Sequence, residues 1–483
     1  MSNPNSPDKD KALASPSDLE GYIMGSYRLV FNGSQAQFFQ NITLSTMADV
    51  HTSSYGNWGM QECSSEPRVA FPNGPGFGYS GDFYSPWQGT YRGIAQAHDG
   101  IEIIKAGTKI VDVNNVNQTT RTLAWAYFAR GIAYGWLAMN YDQGYILEGT
   151  ITQATKLPLK PYTELLKAAL ADLDECIKIC ATTFTIPNSS TVCNGLTITN
   201  TDLKKICYSY KARYRACVAR TVAERAAVDW ATVIADAQNG ITTDFAPVGD
   251  NILFWEYGKY YGSDPSWTRT DYKLIGITDT SGGYQAWLNT PLTSRSEFLI
   301  KSADKRIHLP GDNTKDGTDF GVATASPFPP DRGTYHHSRY YHKRYSYFRP
   351  QYLGPMPVFI IPEIDLLIAE GKLRANDKAG AVTLINKTRV TRGGLKALTG
   401  TEATDEIMKW LKYEKLIETM TTAAGLVFWD RRGWGDLVTN TPVQLPIPGR
   451  ELDIIVMTNY TFGGGGAFSA PKINFGPIKV IPF

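Results

Sequence analysis

The stretch that most constrains how this chain can fold is residues 357–395, PVFIIPEIDLLIAEGKLRANDKAGAVTLINKTRVTRGGL. Ile364, Leu367, Ile368, Gly371 and Ala375 fall at i, i+3, i+4, i+7 and i+11, which puts them on one face of a helix. Leu366, Ala369 and Leu373 form a second apolar stripe, so this helix is expected to be buried on two sides. Asn376-Asp377 is turn chemistry, and Asp377 is placed to cap the next helix. There Ala381, Leu384, Ile385 and Thr388 repeat the i, i+3, i+4, i+7 spacing. Gly393-Gly394 ends it, where the chain leaving a helix needs a positive φ. The small residues Gly371, Ala375, Ala379 and Ala381 are expected to let the two helices approach closely. Together they predict one helical hairpin of an α-solenoid.

The rest of the chain is read in the same way. Ser15 as cap, Pro16 at the first helical position and Ser17-Asp18-Leu19-Glu20 start a helix that runs to about Val30. Residues 32–82 are irregular, polar and glycine-rich, and a second helix follows over about 83–105. Leu123–Met139 is almost wholly apolar, but Arg130 and two glycines interrupt it, so helix 118–139 is read as a core helix and not a membrane span. Pro161 opens a helix to about 182, with a stripe of Tyr162, Leu165, Leu166, Ala169, Leu170, Leu173 and Ile177. A polar loop at 184–200 precedes helices at about 202–221 and 226–239, the latter capped near Asp229. From 241 to 356 helical periodicity fades, and a segment that long without regular elements is usually functional or a separate lobe. One more helix is expected at about 404–421, then a loop-rich tail with a flexible point at Gly463–Gly466. The helices pair as 16–31 with 83–105, 118–139 with 161–182, 202–221 with 226–239, and 361–376 with 378–392.

Composition removes several classes. A formal charge of +2 predicts neither nucleic-acid binding nor attachment to an anionic membrane surface. Hydrophobic residues at 42% suffice for a sizeable core. The opening MSNPNSPDKDKALASPSD lacks an apolar segment of the signal-peptide kind, so the chain reads as cytoplasmic or as a mature form. Cys63, Cys176, Cys180, Cys193, Cys207 and Cys217 have no zinc-type spacing. They read as buried small hydrophobes or, in an exported chain, as a source of one disulfide among Cys180, Cys193, Cys207 and Cys217. No G-x-S-x-G, H-E-x-x-H or phosphate loop occurs, no carboxylate pair stands out for glycoside hydrolysis, and no cofactor is implied. Asp430-Arg431-Arg432 with Glu414 and Glu418 reads as a structural ion-pair cluster.

The motifs also carry a family resemblance. Residues 362–395 resemble the SusD/RagB pattern R-x-A-E-hydrophobic-L-L-x-A-E-A … A-x-x-x-I-N-x-V-R-x-R-A-G, with Glu363, Ala369, Glu370, Ala381, Ile385, Asn386, Arg389, Arg392 and Gly393 in matching places. Residues 413–437 are similar to the family's E-R-x-x-E-L-x-x-E-G-x-R-x-x-D-L-x-R-x-G through Glu414, Glu418, Asp430, Arg432 and Gly433, and depart from it by an insertion-like TMTTAAG. LPIPGREL at 445–452 resembles its closing P-I-P-x-x-E-L. Trp87, Tyr91 and Ile94 resemble its W-x-x-x-Y-x-x-I-x-x-A-N, with His98 where Asn is usual, and NYDQGYIL at 140–147 resembles its Y-G-x-x-P-L turn.

The resemblance implies a mainly α fold: a SusD-like α-solenoid of four tetratricopeptide-like hairpins with a large irregular, loop-rich lobe. It implies a single domain over 1–483, with scaffold at approximately 16–31, 83–240 and 357–421, a ligand-binding lobe at 32–82 and 241–356, and a loop-rich tail at 422–483. It further implies a cell-surface glycan-binding protein without catalysis, which captures oligosaccharide and delivers it to a SusC-like TonB-dependent outer-membrane transporter. Localisation would be the extracellular face of the outer membrane through a lipid anchor. No cysteine precedes Cys63, so that anchor is inferred and not a residue of this sequence. Peptide capture of the RagB kind, a protein-binding helical-repeat scaffold and an uncharacterised hydrolase are the alternatives.

Aromatic residues crowd the irregular parts, at 51–84, 254–287 and 335–352. Flat rings stack on the C–H faces of sugars while polar groups bond hydroxyls. By region only, the resemblance places a site on 51–84 and 250–350. The candidates are Trp58, Trp255, Trp267, Tyr272 and Trp287 as stacking platforms, with His51, Arg68 and Asp82 as hydroxyl partners. The competing reading is that each loop tryptophan plugs a small core of its own.

Overall fold

The computed structural model of the chain describes residues 16–36, 39–52, 57–151, 156–324 and 337–465. The fold is mainly α. Helices α1 (Pro16–Met24) and α2 (Ser26–Phe31) pack on α3 (Ser80–Lys105). Helix α4 (Thr119–Asn140) pairs with α5 (Tyr162–Ile179), and α6 (Asn200–Cys217) with α7 (Trp230–Gln238). Helix α8 (Ile361–Arg374) pairs with α9 (Lys378–Thr391), and α10 (Thr404–Thr419) closes against both. Successive pairs touch through α3 with α4, α5 with α6 and α7 with α8, so the stack is continuous although the chain between its members is long. Ser15, the expected first cap, lies outside the described residues.

The α8–α9 turn forms as its chemistry dictates. Asn376 takes the left-handed backbone (φ 63°), Asp377 accepts a cap bond from Gly380 N at 2.8 Å, and Gly394 leaves α9 at φ 63°. Gly371 does not serve the α8–α9 contact that the sequence suggests. A Cβ there would stand 2.8 Å from Ile234 of α7, so the glycine lets neighbouring pairs approach each other.

Helix α4 is the centre of the core, with every residue from Ala124 to Asn140 buried. The one charge in that buried stretch, Arg130, is neutralised in place. Arg130 bonds both oxygens of Asp172 on α5 at 2.7 Å and reaches His98 Nδ1 on α3 at 2.8 Å. His98 bonds Gly149 O through Nε2 at 2.7 Å, which leaves Nδ1 to accept from Arg130. Among the described residues, no helix is long and apolar enough to cross a membrane.

The acidic positions of the family pattern are buried ion-pair partners. Glu363 holds Arg213 of α6 at 2.6 Å, and Glu370 holds Arg225 at 2.6 Å. Asp430, on helix α11 (Leu426–Trp434), accepts from Lys415 at 2.8 Å and Arg225 at 3.2 Å. Removing one partner of such a pair leaves an uncompensated buried charge, which costs about 3–5 kcal/mol.

The lobe is less irregular than its sequence suggests. Residues 32–36 and 39–43 continue α2 as π-helical turns, and short helices stand at Tyr257–Gly262, Tyr272–Ile275 and Gly283–Asn289. Strand β1 (Val248–Asp250) pairs antiparallel with β4 (Leu353–Pro355), and β2 (Phe320–Val322) with β3 (Tyr340–His342). The segment around His51 joins this lobe: Thr52 N bonds Arg269 O at 3.0 Å and Asp271 N bonds Val50 O at 2.9 Å. The polar stretch 184–200 closes as a two-stranded pair, Thr185–Ile186 with Ile198–Thr199, and the tail contains α11 and helix Gly449–Ile454. All six cysteines are buried free thiols, so no disulfide joins Cys180, Cys193, Cys207 or Cys217.

Candidate ligand-binding site

The short helix Tyr257–Gly262 builds an aromatic surface of the lobe. Its inner side is pinned by Lys259, whose Nζ donates to Glu256 at 2.7 Å and to Thr422 O at 3.0 Å, with all three residues buried. Tyr257, Tyr260 and Tyr261 stand at i, i+3 and i+4 and are therefore carried on one face. Each is half-buried.

Other segments extend this face at both ends. Trp255 packs on Tyr257 with ring centroids 4.5 Å apart. Tyr352 lies flat on Tyr260 at 4.2 Å and 7°. Trp267 meets Tyr261 at 4.6 Å, and Trp58 meets Trp267 at 5.4 Å and Tyr261 at 5.9 Å. The result is a strip of half-buried rings drawn from three separate stretches of chain. Trp58 and Tyr352 hold left-handed backbone, at φ 52° and 56°. For a bulky residue this conformation costs of order 1–3 kcal/mol and is retained only where the surroundings impose it.

Beside the strip, and sharing Tyr260 with it, lies a cleft of about 500 Å³. Tyr341, Pro265, Pro350 and Ser346 line it together with Lys343 and Arg349. Arg349 is braced at 2.7 Å by Asp264, whose other oxygen accepts from Ser266 N and Oγ. Lys343 pairs with Asp316 at 3.0 Å. Burial raises the phenols of Tyr257, Tyr261 and Tyr341 above the usual tyrosine range, so these rings stay neutral donors. Among the described lining residues there is no carboxylate, histidine or cysteine to act as nucleophile or general base. The arrangement offers stacking faces, hydroxyls and two cations.

The eight sequence candidates divide. Trp58, Trp255 and Trp267 are brought together in the strip. Tyr272 and Trp287 are not. They are buried at 0% and 4% exposure, 5.1 Å apart, where Tyr272 lies flat on Phe298 at 4.8 Å and Arg295 covers Trp287. The buried apolar residues of the lobe are continuous with the core of the scaffold, and these two residues belong to it.

His51 and Arg68 are also internal. His51 Nδ1 meets Ser45 Oγ at 2.8 Å. Arg68 bonds both oxygens of Asp49 at 2.9 Å and Thr441 at 2.8 Å, which ties the segment before α3 to the tail. Asp82 is half-buried in the first turn of α3, near Arg450, and burial raises its carboxyl.

Sequence reasoning did not select Tyr257, Tyr260, Tyr261 or Tyr352, nor Arg349 and Tyr341. The i, i+3, i+4 spacing of the three tyrosines was the available signal. The place of Tyr352 and Arg349 follows from the β1–β4 pairing, which joins positions a hundred residues apart and leaves no local trace.

No protein-family model matches the chain, and no curated protein does. Solved structures do. A SusD superfamily protein from Parabacteroides distasonis superposes with a TM-score of 0.60 at 13% identity, over 93% of this chain and 98% of that one. A SusD-like carbohydrate binding protein from Bacteroides vulgatus gives 0.53 at 17% identity, over 88% and 86%. Surface glycan-binding protein A from Bacteroides uniformis gives 0.56 at 14%, over 90% and 97%. The fold of this chain is the SusD-superfamily fold.

Proposed function

We propose that this chain, built on the SusD-superfamily fold, binds glycans at a cell surface and does not turn them over. The observation that carries this reading is the strip of half-buried rings around helix Tyr257–Gly262, with the cleft at its side. Rings at successive spacings suit an extended oligosaccharide, whose sugar faces are apolar and whose edges are polar. Two of the structural neighbours are described as carbohydrate- or glycan-binding, which agrees with it. In the fuller form of the proposal, a lipid anchor holds the protein on the outer face of the outer membrane, and a SusC-like TonB-dependent transporter receives the ligand.

A glycan array with the soluble chain, followed by calorimetry, tests this. Trp255→Ala and Tyr260→Ala are expected to weaken binding by more than about 1 kcal/mol each, the usual mark of a contact that matters, with little change in melting temperature. Bound oligosaccharides should be recovered uncleaved. An array with no bound glycan, or variants that bind as well as the parent, would overturn the reading. Capture of peptides instead would move it to the RagB-like alternative. Detected cleavage would move it to a hydrolase.

A further inference from the structure

We infer that the ligand of this site is an anionic oligosaccharide, carrying a carboxylate or sulfate that sits in the cleft at Arg349 and Lys343; the inference rests on the glycan reading above. Two cations and no carboxylate stand among the eight residues that line the cleft. The acids that balance them come from outside that lining.

The two ion pairs are built differently. Asp264 is 7% exposed and saturated by Ser266, while the Arg349 side chain is 38% exposed. The acid therefore lies inward and the guanidinium outward. A guanidinium carries five N–H donors in a planar fork, and the ion pair with Asp264 is closest at Nη2. That pair holds the guanidinium at the cleft, where its exposed fork can take a second oxyanion. Lys343 makes the opposite kind of pair. Its partner Asp316 is 42% exposed on its side chain, and such exposed pairs are weakly held. The ammonium can exchange that partner for a ligand anion at little cost.

A neutral sugar would gain only ordinary hydrogen bonds from these two side chains. An oxyanion gains charge-assisted bonds, roughly twice as strong and bidentate at arginine. Tyr260 belongs to both the cleft and the strip, stacked on Tyr352. A sugar ring seated there would carry its acidic substituent toward the cations while its neighbours lie along the rings.

The test uses the full chain on an array holding neutral, uronate-bearing and sulfated oligosaccharides of matched length, with acidic and C-terminally free peptides alongside. Acidic glycans are expected to bind, and more weakly as salt rises from about 0.05 to 0.5 M, since partly exposed charges are screened over that range. Arg349→Gln and Lys343→Gln should each lower that affinity roughly tenfold or more, which is about 1.4 kcal/mol. Arg349→Lys should recover only part of it, because the fork is lost. Melting curves confirm that the variants fold, and Lys343→Gln leaves no buried acid behind. Preference between uronate and sulfate arms identifies which anion the cleft takes.

If only neutral glycans bind, or if both variants bind acidic glycans as the parent does, the inference fails while the glycan reading stands. If peptides bind through their carboxylates and no glycan does, both fail.

Discussion

Arg306 joins the lobe to the scaffold and can be tested by one substitution. Its guanidinium is fully buried among three acids. Nη1 bonds Glu418 at 2.7 Å and Glu414 at 2.8 Å, and Nη2 bonds Asp304 at 2.7 Å. Glu414 and Glu418 lie on α10, while Asp304 precedes Arg306 in the lobe. Arg392 and Arg344 also reach Glu418, at 2.8 and 3.3 Å, and Tyr413 donates to Asp304 at 2.8 Å. Arg306→Met would fill similar volume but leave the three acids one cation short. Breaking a buried pair in this way costs about 3–5 kcal/mol. At about 2.1 cal/mol/K per residue, 483 residues unfold with an entropy near 1 kcal/mol/K, so a loss of about 4 kcal/mol lowers Tm by about 4 °C.

The pH dependence gives the substitution a signature. Burial pushes the Glu414 carboxyl up and Arg306 only partly offsets it. Burial also pushes Glu418 up, but Arg306, Arg344 and Arg392 outweigh it and hold that carboxyl below the usual range. Without Arg306 both carboxyls rise. The folded variant then binds more protons than its unfolded chain, so its stability relative to the parent increases as pH falls. Thermal melts at pH 7 and pH 5 should show the deficit shrinking on acidification. Arg306→Met/Glu414→Gln should recover part of it at pH 7. A variant melting within 1 °C of the parent at pH 7, or a deficit that grows as pH falls, would refute the reasoning.

Three further outcomes are expected. Trp287→Ala should cost about 3–5 kcal/mol of stability in urea titration, as a core aromatic does, whereas Trp255→Ala should cost little. Gly135→Ala places a methyl against the Tyr214 ring, whose hydroxyl donates to Ile132 O at 2.7 Å; overpacking of this kind costs roughly 1–3 kcal/mol, and an unchanged urea midpoint would contradict the placement. Burial depresses the His51 imidazole to about 4. Its neutral form thus stabilises the fold fully above the unfolded value near 6.5, and the contribution is lost as pH falls toward 4. Over that window His51→Asn should lose about 3 kcal/mol less than the parent, at about 1.4 kcal/mol per unit.

The scaffold was legible in the sequence because its signals are local. The α8–α9 hairpin needs a 3.6-residue apolar period, Asn376-Asp377 and Gly394, and all lie within forty residues. What the sequence hid there was partnership. Glu363 and Glu370 stand in otherwise apolar turns, and the arginines that explain them, Arg213 and Arg225, are about 145–150 residues away. Gly371 suggested a close contact, but nothing local tells whether the approaching helix is α9 or α7. In the lobe the limit was different. All five chosen aromatics are large residues in stretches without a sustained helical period, and that pattern suits both a ligand platform and a core position. Trp58, Trp255 and Trp267 reached the strip. Tyr272 and Trp287 did not, because Phe298, Tyr284 and Arg295 close around them.

The strip's construction bears on how it could bind. A surface of loop aromatics would ordinarily lose conformational entropy each time it orders around a ligand, at about 0.5–1.5 kcal/mol per side chain. Here that ordering is done by the fold. The helix under Tyr257, Tyr260 and Tyr261 is fixed by the buried Lys259–Glu256 pair and its bond to Thr422 O. Trp267 follows the turn in which its N–H bonds Asp264 O at 3.1 Å, and Asp264 also braces Arg349. Trp58 and Tyr352 are held in left-handed backbone that neither would adopt alone. Asp264 thus serves both: its backbone carbonyl closes the turn under one ring of the strip, and its carboxylate braces the cation of the adjoining cleft. Replacing Asp264 by Asn keeps the carbonyl and removes the charge, so it should weaken binding of acidic glycans through Arg349 and leave binding of neutral ones close to that of the parent. An equal change for neutral and acidic glycans would mean that the lost charge does not act through Arg349.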